Sequence, residues 1–300
     1  MIDTEVLDEK FGIEGEVGFM EMDGDLVSIS ISNKYADADI CLYGAHVTSF
    51  RPVRTLDVLW MSPASFYEVG KPIRGGIPVC FPWFGPHKTN SSLPQHGFAR
   101  LLYWEVLKTT SLPNGETEIK LGLSSSEATK AYWPYDFEAV MTIVIGSIMK
   151  VSLDVKNISK EPFTYTCALH SYFAVSDIVH IQVEGLGGLT YYNQLSGANE
   201  QQTEAVLTID EGMTHHYLNT ESPVVLEDKG FRRRLKIEKS GSKVTTVWNP
   251  GEATSATIAD IPDDGFANFV CIEATNAFDF PITLAPGESF ITSQFFGLER

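Results

Sequence analysis

Two side chains interrupt otherwise apolar runs. His170 closes Phe163-Thr-Tyr-Thr-Cys-Ala-Leu, and Glu273 follows Phe269-Val-Cys-Ile. A carboxylate in such a run costs free energy unless it is paired or hydrogen-bonded, and burial raises its pKa toward the range useful for a base. An imidazole titrates near neutrality and suits a general acid. Each residue also has a plain alternative, as a satisfied structural histidine and an ion-paired structural glutamate. Together, one acid-type and one base-type side chain on strands point to proton-shuttling chemistry with no cofactor. GxGxxG, P-loop and HExxH patterns are absent, and no local spacing of His, Asp or Glu indicates a metal site.

The second concentration of chemistry is Lys71–Arg100, KPIRGGIPVCFPWFGPHKTNSSLPQHGFAR. Proline removes a backbone donor and glycine loosens conformational preference, so no long regular element is expected here. The stretch is too apolar and aromatic for a solvated linker, which leaves an ordered loop of the kind that carries binding residues. Arg74 beside Gly75-Gly76, and Arg100 near Gly97, offer guanidinium forks suited to phosphate or carboxylate. Pairing with the abundant acids is the competing use. Gln95 and His96 offer the hydrogen bonds that sugar hydroxyls need. Phe81, Trp83 and Phe84 serve equally well as a sugar floor or as core. Arg232-Arg-Arg234 reads as an exposed turn. His215-His216 is no ligand pair, because adjacent strand residues point to opposite faces.

Strands must position these residues. Leu26–Ser32 and Met149–Asn157 alternate apolar and polar with period two. Similar short runs follow at 38–43, 44–50, 57–60, 102–107, 117–123, 137–145, 181–186, 206–209, 224–228, 234–239, 243–248 and 289–297, with turn residues between them. That pattern predicts a sandwich or barrel. Ser126–Tyr132 offers one short helical turn, and no alternation of helices with strands supports a doubly wound sheet. No repeat or linker divides the 300 residues, so one all-β domain over 1–300 is expected.

Composition narrows the partners. A net charge of −17 argues against nucleic acid, which requires a basic face. No apolar run is long enough for a membrane span, and the N-terminus does not read as a signal peptide. Cys41, Cys80, Cys167 and Cys271 are far apart in apolar surroundings, as buried free thiols in a reducing compartment would be. A cytoplasmic monomer is expected.

RGGIPVCFPWFG, LPQHGFAR, LHSYF, and WNP before FVCIEATNA closely resemble the glucose-6-phosphate 1-epimerases of the aldose 1-epimerase superfamily. These blocks run from residue 74 to 277, and PGESF follows near the end. The resemblance implies a large antiparallel β-sandwich of the galactose mutarotase-like type. It implies that His170 and Glu273 are catalytic, that Arg74, Gln95 and Arg100 contact a sugar phosphate, and that His96 lies close to the sugar. No cofactor or metal is implied. One segment departs from the pattern: in IDEGMTHHYLNT, Thr214 falls where the family commonly has an aspartate, with Asp210 and Glu211 nearby. The WNP block is followed by Gly251, where an aromatic is common.

The expected activity is interconversion of the α and β anomers of an aldose 6-phosphate. The alternatives are an epimerase of unphosphorylated sugars and a non-catalytic sugar-phosphate-binding protein. A glycosidase or lyase would need a second carboxylate facing Glu273, and no motif supplies one.

Overall fold

The structure, a computed structural model, describes residues 2–299. The all-β expectation holds: three antiparallel sheets of four, eight and nine strands carry the chain, with one further two-stranded pair. Alternation in sequence becomes alternation in burial. In Phe137–Ile145 and Thr117–Ser124 every other side chain is buried. These strands lie beside Ile148–Asn157 and Ser289–Leu298 in the nine-stranded sheet, whose outer face is wet.

The eight-stranded sheet behaves differently. Its strand Phe269–Asn276 is buried at every position, because it pairs with Val244–Asn249 on one side and with both Cys167–Leu169 and Tyr172–Ala174 on the other. A strand so enclosed tolerates polar residues only where they have partners or a task.

The sheets meet through both apolar and polar contacts. Phe296 of the nine-stranded sheet packs edge-on against Phe50 of the four-stranded sheet and Phe173 of the eight-stranded one, at ring distances of 5.8 and 5.2 Å. Ser171 Oγ donates to Gln294 Oε1 at 2.5 Å, and Gln294 Nε2 donates to the Ile272 carbonyl at 2.8 Å. Asn276 Nδ2 donates to Thr292 Oγ1 at 2.9 Å. Each such bond satisfies a buried polar group that would otherwise cost about 1–3 kcal/mol. They also fix the strand that carries Glu273 against the opposite sheet.

Local readings differ from the structure in several places: the strands Val17–Met22, Thr190–Asn193 and Ala198–Gln201 carried no clear alternation, and the run at 102–107 becomes the strand Glu105–Ser111. Asp57–Trp60 is no strand of a sheet; only Leu59 forms a bridge, to Phe173. Thr4–Phe11 is a helix, capped by the Asp3 carboxylate, which accepts from the N–H groups of Glu5 and Val6. In the basic run, Arg232 alone stays in the turn. Arg233 and Arg234 open the strand Arg233–Ser240, where Arg233 donates to the carbonyls of Asp57 and Ala174 and Arg234 pairs with Glu184, Glu227 and Glu299.

Candidate active site

His170 reaches Glu273 because one antiparallel register runs through both segments that flank it and sets it opposite Glu273. Cys167–Leu169 and Tyr172–Ala174 both pair with Phe269–Asn276, and His170-Ser171 is the interruption between them. The result is a contact of 3.3 Å between His170 Nε2 and Glu273 Oε1, with the two side chains 9% and 1% exposed. The His170 ring stacks on Tyr172 at 4.9 Å and meets the rings of His96 and Trp248 at 5.6 and 5.8 Å. His170 Nδ1 and Glu273 Oε2 are buried without a hydrogen-bond partner.

Glycines bring the arginines in. The Arg74 turn runs across neighbouring backbone: Gly76 N–H donates to the Trp60 carbonyl at 2.7 Å, and buried His46 donates from Nε2 to the Gly75 carbonyl at 2.7 Å. Gly75 adopts φ 107°, and a Cβ there would lie 2.4 Å from the Trp60 carbonyl oxygen. No other residue fits. Arg74 then donates to Tyr172 Oη at 3.0 Å and pairs with Asp260 at 3.1 Å. Asp260 is itself nearly buried and its carbonyl accepts from Ser62 Oγ.

Gln95–Arg100 is held the same way. Gly97 has φ 75° and lies so close to Phe81 that a Cβ would fall 2.0 Å from its carbonyl oxygen. That oxygen accepts from the N–H groups of Phe98 and Ala99. His96, also at positive φ, receives the Gly85 N–H on Nδ1 at 3.1 Å, which leaves its ring proton for Nε2. Arg100 Nη2 donates to the Gln95 carbonyl at 2.8 Å. Among the described residues Arg100 has no carboxylate partner, and its buried Nε bonds to nothing. Gln95 presents an exposed side chain; what the fold uses internally is its carbonyl.

The electrostatics follow from this crowding. Burial pushes Glu273 well above the usual carboxylate range. His170 is pushed down to about 3, by burial first and then by the Arg100 and Arg74 charges. His96 falls well below its ordinary value through burial, Arg100, His170 and Arg74, and is therefore a neutral donor. Both members of the His170–Glu273 pair thus resist charge, and one proton held between them satisfies the contact.

Other expectations resolve as follows. Phe81 and Trp83 are core, whereas Phe84 lies at the edge, with its ring 5.0 Å from His96. His215 and His216 do face opposite ways: His215 stacks on Tyr191, while His216 is buried on the sheet face that bears Glu273. There it bonds Thr246 Oγ1 at 2.9 Å and Gln194 Oε1 at 3.0 Å, and Thr246 is the cross-strand neighbour of Glu273. Thr214 is paired with Trp248 and lines a cleft of about 470 Å³, together with Asp210, Glu211 and Asn249. Asp210 and Glu211 therefore share a wall with Thr214. A larger groove of about 690 Å³ lies over Arg54, Phe231 and Arg232 and contains none of the six predicted residues.

Sequence reasoning missed Asp260, Tyr172 and Trp248. Tyr172 and Trp248 stand within the quoted LHSYF and WNP blocks, next to the residues that were singled out, but nothing local marks Asp260.

An antiparallel sandwich bearing a buried histidine–carboxylate pair beside two guanidinium groups defines a class of acid–base enzymes acting on a small anionic or hydroxyl-rich ligand. The aldose 1-epimerase sequence profile matches residues 27–294, and the chain belongs to that family of isomerases. It is 36% identical over 254 residues, 84% of each chain, to a protein of Salmonella typhimurium provisionally named glucose-6-phosphate 1-epimerase. A protein of Cenchrus ciliaris with the same provisional name is 33% identical, over 84% of this chain and 78% of that one. The crystal structure of a provisionally assigned mutarotase of Salmonella typhimurium superposes with a TM-score of 0.90 at 31% identity, covering 97% of this chain and 96% of that one. Among the described residues no helix is long and apolar enough to cross a membrane.

Proposed function

We propose that this epimerase interconverts the α and β anomers of an aldose 6-phosphate, glucose 6-phosphate foremost. The carrying observation is the 3.3 Å His170–Glu273 contact set beside two arginines, one of them without an acidic partner. In a chain of net charge −17, a half-buried unpaired guanidinium is costly unless an anion uses it. The names of the relatives agree with a phosphorylated sugar.

Glu273 takes the proton from the C1 hydroxyl while His170 gives one to the ring oxygen, and the C1–O5 bond breaks to leave the open aldehyde. Rotation about C1–C2 presents the other face of the carbonyl. O5 then attacks it as the two proton transfers reverse. One proton on the pair suffices, and no C–H bond breaks. Arg74 and Arg100 hold the phosphate so that the pair straddles C1 and O5. Their charges oppose the imidazolium, so a bound dianion relieves that opposition and favours the Glu273 carboxylate with the His170 imidazolium. His96 donates to a sugar hydroxyl, with Gln95 at the mouth. The four buried free cysteines suit a reducing cytoplasm.

The test is magnetisation-transfer NMR between the anomers of glucose 6-phosphate and of glucose, with wild type, Glu273→Gln and Arg74→Ala. Exchange is expected to accelerate, to be lost in Glu273→Gln, and to weaken in Arg74→Ala chiefly for the phosphate. No acceleration of any hexose phosphate by wild type would overturn the assignment and favour a binding protein. Equal acceleration of glucose would favour an epimerase of unphosphorylated sugars.

A further inference from the structure

We propose that the His170–Glu273 pair together with Cys271 is an inhibitory site for a thiophilic divalent cation of the zinc class. The cation competes there with the sugar for the two proton-transferring groups. The competition, though not the metal binding, rests on the catalytic reading above.

Cys271 and Glu273 are two residues apart on one strand, so both side chains leave the same face. Tyr172, the cross-strand partner of Cys271, stacks on His170 and brings the imidazole to that face. One ligand atom each of His170, Cys271 and Glu273 therefore lie within 4.8 Å of one another, and all three residues are buried. Zinc–ligand bonds of about 2.0–2.3 Å in tetrahedral geometry set ligand atoms about 3.3–3.7 Å apart. The nitrogen and carboxylate oxygen already meet that spacing at 3.3 Å. The remaining closure is about 1 Å, within reach of a side-chain torsion.

Two further observations point to a ligand. Glu273 Oε2 is buried and unpartnered, leaving the carboxylate with an oxygen to give. His170 Nδ1 is likewise unpartnered, so the ring is not committed to a single orientation by a second bond. Cys271 has no disulfide partner. Imidazole, thiolate and carboxylate are a mixed set that a borderline cation prefers, with the fourth tetrahedral position left for water or an added ligand. The charges close as well. A dication with one thiolate and one carboxylate sums to zero, so the nearby Arg74 and Arg100 meet no net cation. Binding forms metal–N, metal–S and metal–O bonds, expels the thiol proton and any proton on the pair, and changes no oxidation state.

The site is tested with Co²⁺ as a spectroscopic stand-in, then Zn²⁺, on the full chain. One Co²⁺ per chain should produce a thiolate-to-metal charge-transfer band, and glucose 6-phosphate should displace the metal and erase the band. In the anomer-exchange assay Zn²⁺ should inhibit competitively. Cys271→Ala should lose the band, and the Zn²⁺ sensitivity of its exchange, read against its own metal-free rate, should fall by more than the about 10- to 100-fold typical of losing only an outer-shell partner. Should Cys271→Ala fail to fold, Glu273→Gln must weaken Co²⁺ binding comparably. The proposal is overturned by the absence of a band in wild type, by a band that survives Cys271→Ala (which would place it on another cysteine), or, in a chain that does accelerate anomer exchange, by a metal the sugar phosphate does not displace. Because the band needs no turnover, its presence in a chain that proves inactive would uphold the metal site while the catalytic reading falls.

Discussion

Arg100→Met separates phosphate recognition from every other use of the site. In the structure Nη2 of Arg100 donates to the Gln95 carbonyl and, among the described residues, no carboxylate pairs with the guanidinium, so the charge itself is left for a ligand. A hydrogen bond to a charged partner contributes about 1.5–3 kcal/mol. Losing that recognition should cut kcat/KM for glucose 6-phosphate about 10- to 150-fold, at 1.36 kcal/mol per decade. The loss on glucose should be small, because in the proposed binding mode Arg100 meets the phosphate and not the sugar ring. Methionine keeps much of the apolar stem, and the substitution removes a charge without a carboxylate partner. The folded state should therefore be no less stable, and an unchanged or raised Tm would show that the loss is not misfolding. The assay is exchange NMR on both sugars with both proteins, read as a double ratio. Equal losses on the two sugars would refute the phosphate role and leave Arg100 as a structural cation. A gain on the phosphate would refute it more strongly.

Glu273→Gln should lose about 10²- to 10⁴-fold in exchange rate, the usual contribution of a positioned acid or base. Its stability should move the other way. The folded pKa of Glu273 is raised above 4.5, so its favourable contribution is complete below that pH and is lost as pH rises through the folded value. At pH 8 the uncharged amide should stabilise by about 1–2 kcal/mol in urea unfolding, and destabilisation there would mean that the carboxylate is ionised in the fold. For His170 the sign is opposite. Its folded value of about 3 lies below 6.5, so stability is full above pH 6.5 and declines as pH falls toward 3. Arg100→Met should raise the His170 pKa by removing a cation, a shift readable in the ring ¹H–¹⁵N spectrum, and no movement would contradict the proposed coupling. Gly97→Ala should cost at least about 2 kcal/mol, from a positive φ and a Cβ placed 2.0 Å from the Phe81 carbonyl oxygen. An unchanged denaturation midpoint would show that the turn can move aside.

What was legible in the sequence divides along the range of the interactions. Phe137–Ile145 is a strand over the residues that its alternation marks, because burial on one face is a local fact, and Leu26–Ser32 keeps its predicted bounds although its first four residues are all buried. Arg74, His96 and Arg100 were legible because the glycines beside them announce close backbone approaches. The Thr4–Phe11 helix was not: it buries no residue, so it lacks the apolar stripe that reveals helices, and its Asp3 cap is a short-range signal easily overlooked. Long-range partners were out of reach altogether. Asp260 meets Arg74 from 186 positions away in the chain, and its segment, Thr257-Ile-Ala-Asp-Ile-Pro, has no period or motif to set it apart. Cys271 read as a small hydrophobe because its neighbours are apolar. That reading describes its packing against Trp60, Tyr172 and Phe269, yet leaves out what the strand does with it. A strand enclosed on both edges has one face toward the opposite sheet and one away from it, and Glu273 and Cys271 share the second with His170 and Tyr172. Position on that face, which no single-residue propensity encodes, turns a hydrophobic run into a reactive surface.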